Sequence, residues 1–150
     1  MIEVIHADKF YDQKQALKDV NLTIKNGTVF GLLGHNGAGK STLIKSLVSA
    51  HDLTKGQIKV DGRELTTHRQ EIKQKIGYVP DSSDLFLQLT AMEYWRLMID
   101  IYRLNYQDVA AKMQEYIQLF SMEADQNTLI SSMSHGMRQK VILIGALTLD

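Results

Sequence analysis

Residues 34–41 read Gly-His-Asn-Gly-Ala-Gly-Lys-Ser, and this spacing of glycine, lysine and serine is the one with which a backbone loop binds phosphate. Glycines let backbone N–H groups approach phosphate oxygens, and a helix beginning at Lys40 would point its positive end at the same place. Lys40 would place a positive charge at the terminal phosphates of a nucleotide, and the Ser41 hydroxyl could bind Mg²⁺. About 0.005 matches are expected by chance in a chain of this length. The sequence therefore predicts a phosphate-binding loop.

The segments on either side of this loop have the patterns needed to position it. Apolar residues 28–33 predict a buried strand before the loop, after a turn at Asn26-Gly27. Leu43, Ile44, Leu47 and Val48 share one face of a predicted helix over 40–50. Four further short segments have the apolar patterns of strands; they are 2–6, 20–24, 57–60 and 76–79.

The second half of the chain predicts helices instead of strands. Thr90 and Glu93 form the pattern of a capping box, and Tyr94, Leu97, Met98 and Ile101 follow at helical spacing. Two more helices are predicted over 107–120 and from Ser134 onward. We expect Trp95 and most of the methionines to pack within this helical part.

Composition and charge exclude several classes of protein. The chain has 17 Lys+Arg and 17 Asp+Glu among 150 residues, so it lacks the strong positive field of a non-specific nucleic-acid binder. It has no cysteine, which excludes disulfides, thiolate metal ligands and thiol catalysis. Residues 1–6 carry no basic leader, and the longest apolar run, 141–149, is far shorter than the ~20 residues that span a bilayer.

Residues 133–140, Met-Ser-His-Gly-Met-Arg-Gln-Lys, resemble the signature sequence of ABC ATPases, usually written L-S-G-G-Q. Four other segments resemble motifs of that family in the correct order: 9–11, the loop at 34–41 (its Walker A motif), 76–81 and 89–93. The resemblance covers the whole chain. It implies an α/β fold: a P-loop NTPase core of ABC type with an antiparallel β-subdomain and an inserted α-helical subdomain. The expected division is 1–85 for the core, 86–133 for the helical subdomain and 134–150 for the signature motif and its helix.

The resemblance also implies roles for individual residues. Tyr11 would stack on adenine, and Ser41 and Asp81 would bind Mg²⁺. Ser134, His135, Gly136 and Met137 would meet the ATP held by a second copy. The implied ATP-binding residues are Tyr11, Gly34, His35, Asn36, Gly37, Ala38, Gly39, Lys40, Ser41 and Thr42.

Two places depart from the family pattern. Asp81 replaces the usual glutamine and could either bind Mg²⁺ or cap the turn after Pro80, since a carboxylate keeps the oxygen but loses the amide donor. His135 and Met137 replace a glycine and a glutamine of the signature, and the imidazole adds bulk where a backbone would approach phosphate. This pairing resembles the bacterial drug, bacteriocin and ABC-2 exporter branch, which favours export.

In the resembled family, an apolar strand ending in Asp-Glu and then a switch histidine follow the signature helix. The chain stops at Asp150, before that Walker B strand. The resemblance therefore implies that 1–150 is the N-terminal portion of a longer ATPase, with no catalytic residue in this chain. We expect it to bind nucleotide without hydrolysing it.

The function implied is that of the ATP-binding subunit of a membrane transporter at the inner face of the cell membrane. Its expected partners are a membrane-spanning permease and a second ATP-binding domain, with no nucleic acid. One alternative is an ABC ATPase acting on DNA or ribosomes, but those chains carry long coiled-coil or zinc insertions, and the interval 40–134 is compact. Another is a small-molecule kinase, which would leave residues 134–140 unexplained.

Overall fold

The computed structural model describes residues 1–84 and 86–149. The chain divides into two compact units, Met1–Gln74 and Lys75–Asp150. The first unit contains a sheet and two helices, and the second is helical.

The first unit is built on a four-stranded antiparallel sheet, whose strands are β1 (Ile2–Tyr11), β2 (Lys14–Ile24), β3 (Lys55–Val60) and β4 (Arg63–Glu64). Their order in the sheet is β2-β1-β3-β4. The first two strands, β1 and β2, form a hairpin around Asp12 and Gln13, which brings Tyr11 opposite Lys14. Val4, Ala7, Leu17 and Ile58 are the buried side chains of these strands. The antiparallel β part expected from the sequence is thus confirmed.

Helix α1 (Lys40–Leu47) begins at the lysine of the phosphate-binding pattern, as predicted, but ends before residue 50. Ser49 has a φ of +55°, which no helix interior permits, and the amides of Ala50 and His51 turn back onto the Lys45 carbonyl. Leu43 is buried. The short helix α2 (Arg69–Lys73) completes the unit.

The strand predicted over residues 28–33 does not form. None of the four described strands pairs with this segment, so its backbone has no ladder to join. Val29 and Leu33 are almost fully exposed, at 105% and 94%. Apolar character was the basis of the prediction, but a strand also needs a neighbouring strand.

The second unit is an arrangement of three helices around one apolar core. Trp95, Ile99, Met113, Ile117 and Ile144 are among its most buried residues. The helices are α3 (Ala91–Ile101), α4 (Tyr106–Leu119) and α5 (His135–Thr148), with 3₁₀ turns at Glu123–Asp125 and Ile130–Ser132. The three helices and the burial of Trp95 are as predicted. No helix in the described part of the chain has both the length and the apolar character needed to cross a membrane.

Helix α3 begins at the predicted capping box. The Thr90 hydroxyl accepts a bond from the Glu93 amide, and the Glu93 carboxylate accepts one from the Thr90 amide at 2.8 Å. The bonds that the Thr90 amide and the Thr90 hydroxyl donate to this carboxylate hold the pKa of the Glu93 carboxyl below its usual value. Of the apolar residues at helical spacing, Tyr94 is buried and Met98 packs against the helical core, but Ile101 is 54% exposed.

The second strand prediction that fails is that for residues 76–79, which form no ladder among the described residues. This segment is held by helices instead. The Tyr102 hydroxyl donates to the Ile76 carbonyl at 2.8 Å, and Val79 packs on the helical core. A β-carbon on Gly77 would lie 3.0 Å from the Ala146 carbonyl oxygen, so the backbone runs close against α5.

Candidate nucleotide site

The phosphate-binding pattern forms an open loop that leads directly into α1. Gly37 and Gly39 have φ values of +86° and +89°, a region that side chains other than glycine rarely adopt. A β-carbon on Gly39 would collide with the Ala16 carbonyl oxygen and lie 3.0 Å from Leu17 Cδ2. The loop therefore needs glycine at 39 for its backbone conformation and also for its contact with β2.

The N-terminus of α1 has no side-chain cap. Gly39 occupies the N-cap position and has no side chain that could bond the first helical amides. The amides of the first turn have no carbonyl partner within the helix. Those of Lys40, Ser41 and Thr42 are accordingly available as donors, and the helix dipole adds positive potential there. This arrangement suits an anion bound by backbone N–H groups.

The Lys40 side chain folds back across the loop. Its Nζ donates to the carbonyl oxygens of Gly34 at 2.6 Å and His35 at 2.8 Å. His35 itself bonds the Asn36 carbonyl through Nδ1 and stays exposed. The ammonium is therefore held at the loop, where an anion lying against the α1 amides would meet it.

A cleft of about 320 Å³ lies over the loop, and Tyr11 lines this cleft together with the loop residues. Tyr11 is 40% exposed; the Lys9 Nζ lies 5.1 Å from its ring centroid, and the His51 ring meets it edge-on at 5.9 Å. The cleft is lined by Tyr11, Lys14, Ala16, Asn36, Gly37, Gly39, Lys40, Ser41 and Thr42. Tyr11 and Ser41 are 30 positions apart in the sequence, and both line the same cleft.

Lys14 is a lining residue that the sequence analysis missed. It is exposed, and within the described ranges no hydrogen bond or ion pair occupies its ammonium. The two-residue hairpin turn that pairs it with Tyr11 is the signal that could have found it. Lys14 gives the cleft a second positive charge besides Lys40.

The predicted metal ligands lie in different units. The Ser41 hydroxyl lines the cleft in the first unit. Asp81 is exposed in the second unit, where its backbone carbonyl accepts a bond from Gln139 Nε2 at 3.1 Å. No group of three His, Cys, Asp or Glu side chains in the described residues could hold a metal ion. The Ser41 hydroxyl can therefore be one ligand of a Mg²⁺ ion only if phosphate oxygens and waters supply the other ligands.

The signature-like segment begins α5. Ser134 is its N-cap, and its hydroxyl accepts a bond from the Met137 amide at 3.3 Å, which confirms the predicted helix start. Gly136 is exposed, with no heavy atom within 4 Å of where its β-carbon would be. The imidazole of His135 bonds Ser83 at 3.0 Å. The segment thus presents a capped helix start with open backbone at Gly136.

The family model for ABC transporters matches residues 17–150 of this chain. The chain belongs to the ABC transporter family. It is 36% identical to the ABC transporter ATP-binding protein NatA of Bacillus subtilis over 95% of its own length and 59% of NatA. It is 34% identical to the methionine import ATP-binding protein MetN of Vibrio cholerae over 100% of its length and 46% of MetN. The chain therefore spans about half the length of these relatives.

Solved structures of ABC proteins have the same fold. The ATP-binding subunit of an ABC transporter superposes with a TM-score of 0.93 at 28% identity, covering 99% of this chain and 62% of that one. The ATP-binding cassette MJ0796, solved as a dimer in a post-hydrolysis state with ADP and Pi, gives a TM-score of 0.87 at 27% identity over 99% of this chain and 69% of that one. The ABC ATPase fold expected from the sequence is confirmed.

Proposed function

We propose that this chain is the nucleotide-binding part of an ABC transporter ATPase that binds MgATP and drives a separate membrane-spanning subunit. The observation that carries the proposal is the uncapped N-terminus of α1, which lies with Lys40, Lys14 and Tyr11 on one cleft. Backbone donors and two cations suit a chain of phosphates, and an aromatic ring suits a base.

The proposed binding mode assigns one part of the nucleotide to each part of the cleft. The phosphates would lie on the loop amides and Lys40, and the Ser41 hydroxyl would hold a Mg²⁺ ion, which supplies positive charge at the phosphates. The base stacks on the face of Tyr11 opposite Lys9. A second copy places its Ser134–Met137 segment on the remaining side of the phosphates, so that ATP joins the two copies.

Tyr11→Ala is expected to weaken ATP, GTP and CTP binding to a similar degree. Stacking on an aromatic ring is worth about 1–3 kcal/mol and is nearly independent of the base. Titrations with fluorescent analogues of the three nucleotides measure the loss, and Tyr11→Phe, which keeps the ring, is the control. Unchanged affinity for all three in Tyr11→Ala would contradict the stacking role.

Asp81 has two candidate roles, as a Mg²⁺ ligand or as a cap of the turn after Pro80. As a ligand, Asp81→Asn should reduce the Mg²⁺ dependence of ATP binding and leave metal-free binding intact. If Asp81 is a cap, the same change should alter neither the Mg²⁺ dependence of ATP binding nor metal-free binding, because asparagine also caps turns. Mg²⁺ titrations at fixed ATP distinguish the two, with Asp100→Asn, at an exposed carboxylate on α3, as the control.

The proposal of transport requires a membrane-spanning partner. If a membrane protein is encoded beside the gene for the full-length protein, co-expression of the two should give a complex whose ATP hydrolysis moves a substrate across vesicles. The direction we propose is export, on the resemblance of residues 80–81 and 134–137 to exporter ATPases. Purification without any membrane protein, together with binding to DNA or ribosomes, would instead favour the non-transport alternative.

A further inference from the structure

His135 replaces a small signature residue with an imidazole, and this imidazole has a defined partner. Its Nδ1 lies 3.0 Å from the Ser83 hydroxyl oxygen. Ser83 is only 1% exposed, so water cannot readily replace the bond that its hydroxyl makes. Leaving a buried hydroxyl without a partner is unfavourable. The pair therefore ties the start of α5 to the loop formed by residues 81–84.

Two more side chains of α5 contact the same loop. Arg138 Nη1 donates to the Asp84 carboxylate at 2.7 Å, and Gln139 Nε2 donates to the Asp81 carbonyl at 3.1 Å. Positions 135, 138 and 139 are spaced by three and four, so they share one face of the helix. The loop is held along this face by three separate bonds.

Arg138 also fixes the chain that enters α5. Its Nε donates to the carbonyls of Ile130 and Met133, both at 3.1 Å, and its Nη2 donates to the Ser131 carbonyl at 2.8 Å. The Arg138 side chain therefore holds both loop 81–84 and residues 130–133, which lead into α5. Movement of the loop would then be transmitted to the first turn of α5.

The bond to Ser83 engages the imidazole within the chain, and the backbone at Gly136 remains open. The His135 imidazole, which the sequence places at a phosphate-facing position, is thus bonded to loop 81–84 and leaves the backbone at Gly136 open. We propose that Ser83 and His135 are positioning residues that fix the phosphate-facing start of α5 to loop 81–84. This rests on the proposed function, in which Ser134–Met137 meets the nucleotide of a second copy.

The test is the ATP-driven association of two copies of the full-length protein. It is measured by sedimentation with a non-hydrolysable ATP analogue and Mg²⁺. Ser83→Ala and His135→Ala should each weaken association about 25-fold, as expected for one hydrogen bond lost in each of the two copies. The double variant should be no weaker than either single variant. His135→Asn, which keeps a polar atom near the position of Nδ1, should restore most of the association.

Two controls keep the result specific. Nucleotide affinity at a dilution where the protein is monomeric should be the same in all variants, because neither residue lines the cleft at the phosphate-binding loop. Ser82→Ala, in the same loop but at an exposed hydroxyl that accepts a long bond of 3.4 Å from the Asp84 amide, should associate like the parent. Additive losses in the double variant, or stronger association in His135→Ala, would overturn the proposal.

Failure of the proposed function gives a different pattern. If the parent protein does not self-associate in the presence of the ATP analogue, the proposed contact between Ser134–Met137 and the nucleotide of a second copy is wrong. Hydrogen exchange of the nucleotide-free protein then tests whether Ser83 and His135 position the start of α5. Ser83→Ala should then speed exchange of the Met137 and Arg138 amides about fivefold, while the amides of the sheet in the first unit exchange as in the parent. Equal exchange in Ser83→Ala and the parent would reject the pair as positioning residues.

Discussion

Lys40→Ala is expected to lower the affinity for MgATP about 100-fold, or about 3 kcal/mol. The ammonium is held at the loop by the Gly34 and His35 carbonyls, where it would meet the terminal phosphates. Alanine removes this charge, and Lys14, on the β hairpin, does not replace it at the loop. Calorimetry of MgATP binding measures the effect.

The matched control for this change is Lys45→Ala. Lys45 lies on the same helix and is exposed, but it does not line the cleft. It should bind MgATP like the parent protein. Both variants should unfold at nearly the parent temperature, because the loop carbonyls freed in Lys40→Ala are exposed to water. Equal affinity of Lys40→Ala and the parent would exclude the proposed phosphate site.

Trp95→Ala is expected to lower the free energy of unfolding by about 3–5 kcal/mol. Trp95 is 1% exposed in the core of the helical unit, and its Nε1 donates to the Val141 carbonyl at 2.9 Å. Alanine would leave a large cavity between α3 and α5 and remove this bond. The burial of that core is also evident at Tyr94, whose pKa it raises to about 12. Denaturant unfolding of the full-length protein measures the loss.

Trp95→Phe separates packing from hydrogen bonding at this position. The phenyl ring keeps most of the apolar contact and loses only the N–H donor, so its cost should be closer to 1 kcal/mol. Hydrogen exchange should place the destabilisation of Trp95→Ala in helices α3, α4 and α5. A loss below 1 kcal/mol in Trp95→Ala would show that this core packs more loosely than its burial indicates.

The local sequence determined the features that depend on a few adjacent residues. The phosphate-binding loop needs glycines at fixed spacing, and the structure gives Gly37 and Gly39 the positive φ values that only glycine adopts readily. The starts of α3 and α5 follow from Thr90 and Ser134, whose hydroxyls bond amides three residues later. These effects act within one turn, so the chain encodes them locally.

The tertiary structure alone decided which segments pair and which side chains meet. Residues 28–33 and 76–79 have apolar patterns like those of strands, yet a strand forms only where a neighbouring backbone accepts its hydrogen bonds. Ser83 and His135 are 52 positions apart and come together because loop 81–84 lies along α5. Tyr11 and Lys14 reach the phosphate-binding loop because a hairpin folds beside it. Contacts between distant residues depend on the packing of whole elements, which local periodicity does not specify.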